Sequence, residues 1–549
     1  MTRPTALAAA TVVLAAAGFA AAPAPASASA TSPTTAPPTV RVLPLGDSIT
    51  YGRNSCTGNG YRGPLQNLVA AEGRFAIDYV GSQQNGVMAD PANEGHPGYT
   101  VDQISDNIDG WLAATHPDVV LLHIGANDLN QYAGGSDTAA KAERLVNRIF
   151  ADQPGVTVIM QGLVPTMSGM NSPMPDMARN IPDYNAALQR LEATEQQAGR
   201  HFRYVAAPAL VPAGQGTATE PAQMSDGLHP NDAGYAVMGR NFLAPLDQAY
   251  NARWYTGRAA QSPRPANTVR LVNLAPDGSL RNNEGDFTAG SWSGWSSLDA
   301  SGIKEVTSAA TFSVNRIFAI GRDGRVYEKD GDYGRGQWSG WFQPSIGALP
   351  SPAVSITASS FNHTVHLVVI GADGHLYNSD GDYEAGRWNG WTDHGGNFKR
   401  VASASTSTNV NHIFAIDANN RVNELDGDYC AGSWGSWAAA GSNAFTAQDV
   451  AASASGNIVH LSAIAPDGTW SNTDGDFNRG QWNGWTKMPG SGLKRIASAA
   501  ANNVNHIFAV DGNNRLQEID GDYNTGRWSS WNQAATGADS IGVTAAFTR

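Results

Sequence analysis

Six copies of one phrase fill the second half of the chain: EGDFTAGSWSGW (284–295), DGDYGRGQWSGW (330–341), DGDYEAGRWNGW (380–391), DGDYCAGSWGSW (426–437), DGDFNRGQWNGW (474–485) and DGDYNTGRWSSW (520–531). The Asp of each Gly-Asp-aromatic stands at 286, 332, 382, 428, 476 and 522, giving gaps of 46, 50, 46, 48 and 46 residues. A unit of that size cannot bury a core alone and must stack on its neighbours. With short alternating segments and turn residues between copies, the period predicts the blades of a β-propeller.

The ends of the array predict closure. Five copies follow a small-residue strand: VTSAATF (306–312), ITASSF (356–361), VASAST (401–406), VAASAS (450–455) and IASAAA (496–501). The first copy begins at NTVRLVNL and lacks one, and the chain ends in IGVTAAFTR (541–549), which has the missing character. A C-terminal strand completing the first blade closes a six-bladed ring and removes the exposed edges that an open array would keep. A longer period is superimposed. VNRIFAI, VNHIFAI and VNHIFAV occur in the even copies, and VRLVNL, VHLVVI and VHLSAI in the odd ones. This suggests a trimer of two-blade pairs, with up to three equivalent sites.

Residues 40–255 read differently. VRVLPL from Val40, IDYV (77–80), DVVLLHI (118–124), VTVIM (156–160) and FRYV (202–205) are runs suited to buried strands. Between them lie amphipathic helices. One carries Ala142, Leu145, Val146 and Ile149 on a face; another carries Tyr184, Ala187, Leu188 and Leu191 and is expected to start just after Pro182; the last runs from Asp232 to Ala249. Strand–helix alternation implies a parallel sheet covered on both faces, with a ligand site beyond the carboxyl ends of its strands.

A chain of 549 residues exceeds one core. Its net charge of −13 and lack of a basic run exclude nucleic acid as a partner. Arg3, the Ala/Val/Leu-rich stretch 6–22 and the small-residue APAPASASA segment read as a secretory signal over 1–30, with cleavage after Ala28 or Ala30. Residues 31–39 then form a flexible leader and 256–267 a linker, with the propeller over 268–549. No other run is apolar and long enough to span a bilayer, and the chain is expected to be extracellular. The two cysteines, Cys56 and Cys430, fall in different domains, so they are either free thiols or an interdomain bridge.

The chemistry concentrates in the first domain. In RVLPLGDSITYG (41–52), Ser48 follows a strand and the pair Gly46–Asp47. A serine there serves as a helix cap or, given a base, as a nucleophile. His229 stands in SDGLHPNDAGY (225–235), three residues after Asp226, a spacing that lets the carboxylate meet the imidazole. Asp226 is otherwise an ordinary Asp-Gly turn residue. His116 lies at the wrong sheet edge, and His123 is inside a strand with a packing role. Oxyanion donors are available from Ser48 N–H, from Gly98 in EGHPGYT (94–100) and from the Asn127 amide in HIGAND (123–128). Asn127 could equally hold its loop. The Gly-x-Ser-x-Gly elbow is absent.

GDSIT, GHPGYT, GAND and DGLHPN resemble the four blocks of the SGNH, or GDSL, hydrolases over residues 40–250. The resemblance implies a flavodoxin-like three-layer α/β sandwich with a parallel sheet, Ser48 as nucleophile, Asp226 and His229 as its partners, and an oxyanion hole of Ser48, Gly98 and Asn127. Gly95 is the competing glycine. GYRGPL (60–65), VGSQQNG (80–86) and HPNDAGYAVMG (229–239) extend the resemblance to carbohydrate esterase family three, the acetyl xylan esterases. That implies deacetylation of plant polysaccharide, with no cofactor and no metal.

The propeller is similar in repeat style to lectin-like propellers of the tachylectin and tectonin kind. Its tryptophans suit either blade packing or stacking on sugar rings. Asp-Gly-Asp suggests calcium, but the loops lack a full set of oxygen ligands. The methionine-rich loop 165–177 is expected at the active edge. The leading reading is a secreted serine esterase with a glycan-binding propeller. The alternatives are a lipase or phospholipase of the same fold, and a lectin whose hydrolase domain is inactive.

Overall fold

The computed structural model describes residues 37–130, 134–166, 175–258, 268–441, 444–534 and 538–548. The stretch read as a signal and most of the expected leader and linker lie outside these residues, as does the 167–174 part of the methionine-rich loop.

In the first domain, β1 (Thr39–Gly46) is central. It pairs in parallel with β2 (Ala76–Tyr79) over its first half and with β4 (Ala92–Gly95) at its last two residues; the short β3 (Gln83–Gln84) lies antiparallel on β4. On its other side follow β5 (Val119–His123), β6 (Thr157–Gln161) and β7 (His201–Val205), all parallel. Alternate strand residues face opposite layers. Leu43, Leu45, Val120, Leu122, Val158 and Met160 pack under α3 (Val101–Thr115), α5 (Gly135–Asp152) and α6 (Pro175–Gln197). Val40, Val42, Val119, Leu121 and Ile159 pack under α2 (Arg62–Glu72) and α7 (Asp232–Asn251). This is the expected three-layer sandwich. Because the chain builds outward from β1 on both sides, β2 and β4 on one and β5 on the other, the sheet order reverses at its carboxyl end.

Three boundaries depart from the sequence reading. Thr39, at the end of the expected leader, already pairs with Ala76 and exchanges backbone hydrogen bonds with Arg258. Arg258, read as linker, is therefore tied to the sheet. Helix α6 begins at Pro175, with Pro182 inside it. Buried Met177 and Ile181 anchor the extra turns, so tertiary burial outweighs the hydrogen bond that proline forgoes.

The remaining residues form six antiparallel sheets. The first blade comprises Thr268–Leu274, Leu280–Asp286 and Ser291–Trp292, completed by Gly542–Thr548 from the chain's end, which pairs antiparallel with Thr268–Leu274. The six small-residue strands line the axis, each packed on the next and the last on the first, so the ring is closed. Across the axis Glu305 takes hydrogen bonds from Arg400 and Arg495, both at 2.9 Å, with buried Asp449 beside them.

The repeated phrase divides into parts with separate work. Its glycine lies beneath the first tryptophan. A Cβ at Gly285, Gly331, Gly381, Gly427, Gly475 or Gly521 would come within 2.7–3.0 Å of that ring. The following Asp caps the hairpin, as Asp382 does for the N–H groups of Glu384 and Ala385. The second tryptophan reaches back one blade, Trp341 to the Leu298 carbonyl and Trp531 to that of Pro489. The acid before the glycine pairs with a base on the adjacent strand: Arg270–Glu284, Arg316–Asp330, His366–Asp380, His412–Asp426, His460–Asp474 and His506–Asp520. Each base stacks on an aromatic of the next blade, respectively Tyr333, Tyr383, Tyr429, Phe477, Tyr523 and, across the closure, Phe287.

Cys56 and Cys430 form a disulfide, Cα–Cα 5.6 Å, joining the domains. Beside it Asn362 bonds Asn85 and accepts from Gly86 N, and His363 Nε2 lies 3.1 Å from the Tyr51 hydroxyl.

Removing residues 541–549 should leave the first blade with an open edge. The expected outcome is a lower melting temperature for the propeller transition and self-association on size exclusion. Calorimetry and chromatography showing an unchanged monomer would refute ring closure as a stabilising element.

Candidate active site

Ser48 opens α1 (Ser48–Tyr51), one turn of helix at the carboxyl end of β1. Asp47 caps it, its carboxylate accepting from Ile49 N at 3.0 Å, and Gly52 ends it in the left-handed region, φ 95°. Gly46 allows β1 and β5 to approach, since a Cβ there would fall 2.0 Å from the His123 carbonyl oxygen. The Ser48 hydroxyl is thereby held at the switch point of the sheet.

Across from it, His229 precedes α7, whose N-cap Asn231 accepts from Gly234 N. Its Nε2 lies 3.0 Å from Ser48 Oγ and its Nδ1 3.0 Å from Asp226 Oδ2. The Asp226 carboxylate fixes the proton on Nδ1, which leaves Nε2 as the acceptor for the serine proton. Asp226 Oδ1 takes the backbone N–H groups of Leu228 (2.7 Å) and His229 (2.6 Å), so the turn clamps acid and base into one unit. Burial opposes the Asp226 charge, but the hydrogen bonds from His229 and Leu228 together outweigh it and hold the carboxyl below its ordinary value. Ser48 and His229 are both buried.

The other two residues named from sequence lie in one linked pair of loops. His96 N bonds the Gly46 carbonyl, which brings the 96–100 loop beside the start of α1. Asn127, in α4 (Ala126–Asn130), donates from Nδ2 to the Tyr99 carbonyl at 2.9 Å, and neighbouring Asp128 accepts from Val101 N. Gly98 is exposed with φ 84°, and a Cβ there would meet nothing, so its backbone conformation rather than space favours glycine. Gly95 is enclosed: a Cβ there would strike Tyr51 N at 2.3 Å. It is a packing glycine. His123 is buried with both ring nitrogens unpartnered, and burial pushes it down to about 4.

Sequence reasoning passed over two residues. Asn54 donates to Asp226 Oδ2 (2.7 Å) and Ser225 Oγ (2.8 Å), bracing the acid from a loop over 170 residues away in the chain. Arg62, fully buried, donates to the carbonyls of Tyr51, Gly58, Asn85 and Pro91 and so holds together the loops behind α1. Neither carries a local signal; GYRGPL marked only the neighbourhood of Arg62. Cys56 N and Ser55 Oγ both bond Asp232, in the first turn of α7. The disulfide loop therefore touches both the serine side and the histidine side of the cleft. Among the described residues, no cluster of three metal-type ligands includes Ser48's partners.

A buried serine and imidazole in series with a half-buried carboxylate, at the switch point of a parallel three-layer sheet, define a serine hydrolase of the α/β class. More particularly, residues 45–237 match the GDSL-like Lipase/Acylhydrolase family, and this domain is a GDSL-like hydrolase. A multidomain esterase of Ruminococcus flavefaciens is 25% identical over 245 residues, covering 39% of this chain and 29% of that protein, so the chain spans under a third of that relative's length. Among solved structures, a Clostridium thermocellum family 3 carbohydrate esterase is 29% identical over 39% of this chain and 98% of its own, with a TM-score of 0.34. The SapL1 lectin, solved with alpha methyl fucoside, is similar over 50% of this chain and 94% of its own, at 18% identity and a TM-score of 0.37.

Burial, with a further push from Asp128, raises Asp47 to about 7 against the resisting hydrogen bond from Ile49 N. In the unfolded chain this carboxyl ionises near about pH 4, so stability falls as pH rises through that window and the penalty stays constant above it. Asp47→Asn keeps the cap and removes the penalty. Its melting advantage over the parent should open between about pH 4 and 7 and flatten beyond; a pH-independent difference would contradict the assignment.

Proposed function

We propose that the protein is a secreted serine esterase that removes acetyl groups from a xylan-like plant polysaccharide, its propeller holding the enzyme on carbohydrate. The observation that carries the catalytic part is the Ser48–His229–Asp226 series, with 3.0 Å at each step. His229 Nε2 takes the Ser48 proton as Oγ attacks the ester carbonyl. Asp226 stabilises the imidazolium that results. The negative oxygen of the tetrahedral intermediate is held by the N–H of Ser48, the N–H of Gly98 and the Asn127 amide, which turns from the Tyr99 carbonyl to the ligand. His229 then returns its proton to the leaving alcohol, and water releases the acyl group by the same steps in reverse order.

Similarity to a multidomain esterase supports ester hydrolysis. The short acyl group and the polysaccharide rest on the resemblance of GYRGPL, VGSQQNG and HPNDAGYAVMG to the acetyl xylan esterases. Carbohydrate attachment rests on the ring of partly exposed tryptophans, Trp338 and Trp434 among them, whose faces suit sugar rings. Several weak sites on one ring would raise the local concentration of enzyme on its substrate. Export is supported by the character of residues 1–30 and by the Cys56–Cys430 disulfide, which persists in an oxidising compartment.

Acetate release from acetylated xylan and hydrolysis of p-nitrophenyl acetate should both fall on the order of 10⁴-fold or more in Ser48→Ala, with folding unchanged by circular dichroism. p-Nitrophenyl esters of longer acyl chains should be poorer substrates for the parent. A preference for the long chains would favour a lipid substrate, and an inert parent would leave a lectin with a silent domain.

A further inference from the structure

The six seams between blades use the same positions, which makes each a control for the others. In the third and fifth seams one carboxylate, Asp380 or Asp474, faces a histidine. An asparagine two residues earlier and a tyrosine of the next blade also donate to it: Asn378 and Tyr429, or Asn472 and Tyr523. In the second seam the asparagine is replaced by Glu328, giving a buried acid beside the half-buried Asp330. Arg316 pairs with Asp330, and the Tyr383 hydroxyl bonds Glu328, so each acid has a protein donor on one oxygen while Glu328 Oε2 and Asp330 Oδ1 stay without one.

The fourth and sixth seams keep the second acid but have neither the arginine nor the tyrosine hydroxyl. Glu424 and Glu518 occupy the Glu328 position, each 8% exposed. Arginine becomes His412 or His506, and tyrosine becomes Phe477 or Phe287, which carry no hydroxyl. Glu424 Oε1 and Glu518 Oε1 are buried with no hydrogen-bond partner. In each seam an imidazole nitrogen and one oxygen from each carboxylate lie within 4.8 Å of one another, with His412 Nδ1 2.7 Å from Asp426 and 3.6 Å from Glu424. The side chains of Asp426 and Asp520 are 38% and 32% exposed, which leaves a way in from solvent.

We propose that His412–Glu424–Asp426 and His506–Glu518–Asp520 are two equivalent binding sites for a divalent transition-metal ion of the zinc kind, placed in the seams between blades four and five and between blades six and one. A doubly charged ion neutralises the two carboxylates, where the second seam supplies one arginine charge and one hydroxyl hydrogen bond. One imidazole and two carboxylates suit a borderline ion of low coordination number, whereas calcium would want six to eight oxygens. Bound there, the ion ties two strands of one blade beneath the aromatic of the next, so it strengthens the ring rather than the ester chemistry.

Chelator-treated full-length protein titrated with zinc chloride by calorimetry should take up two ions per chain and melt at higher temperature. Glu424→Gln and Glu518→Gln should each lose one ion, and the double variant should bind at least tenfold more weakly, while Glu328→Gln keeps both. Circular dichroism in chelator shows whether the double variant is folded; if it is not, Asp426→Asn with Asp520→Asn is the second test, with the same expected loss. No uptake by the parent, or unchanged uptake by a folded double variant, overturns the proposal.

Discussion

The contact between Ser48 Oγ and His229 Nε2 joins residues 181 apart in sequence, and the architecture of the first domain is arranged to hold its two ends. One end is fixed by the one-turn helix after β1, with Asp47 as cap and Gly46 packed against the His123 carbonyl. The other is fixed by the Asp226–His229 turn and the capped start of α7. Both ends lie where the sheet order reverses, because only there do loops from the two sides of β1 splay apart and leave a cleft. A shift of either end by an ångström would break proton transfer, so the loops are braced by buried polar groups rather than left to surface packing.

Those braces lead to the propeller. Arg62 holds the carbonyls of Tyr51, Gly58 and Asn85 from inside, while Asn362 and His363 of the third blade bond Asn85, Gly86 and Tyr51 from outside. The disulfide from Cys56 to Cys430 joins the same loop to the fourth blade. Asn54, in that loop, bonds Asp226. The two domains thus share the segment that supports the acid and follows the serine, and they are joined there by a few hydrogen bonds and one covalent link.

Within the ring, repetition serves two purposes. Gly beneath Trp, and Asp capping each hairpin, are invariant because blade geometry demands them six times. The seam residues vary. Glu328, Glu424 and Glu518 stand where the other seams carry asparagine, and the base is arginine in the first two seams and histidine in the other four.

The period of the repeats, the alternation of strands and helices, and the blocks around Ser48, Gly98, Asn127 and His229 were legible in the chain because each is a local pattern: a turn needs its glycine, a blade its tryptophan, a sheet its apolar run. The strand that completes the first blade was legible too, since its small residues match the other five. Nothing local marked Asn54 or Arg62, whose partners are backbone and side-chain groups set near them only by folding. The start of α6 was misjudged because proline speaks for an end, while Met177 and Ile181 find a core that only the packed sheet provides. Whether Cys56 meets Cys430, and which acid in a seam lacks a partner, were likewise decided by tertiary structure. Such contacts depend on distances between segments far apart in the chain, and a linear order of residues does not contain those distances until the sheets have closed.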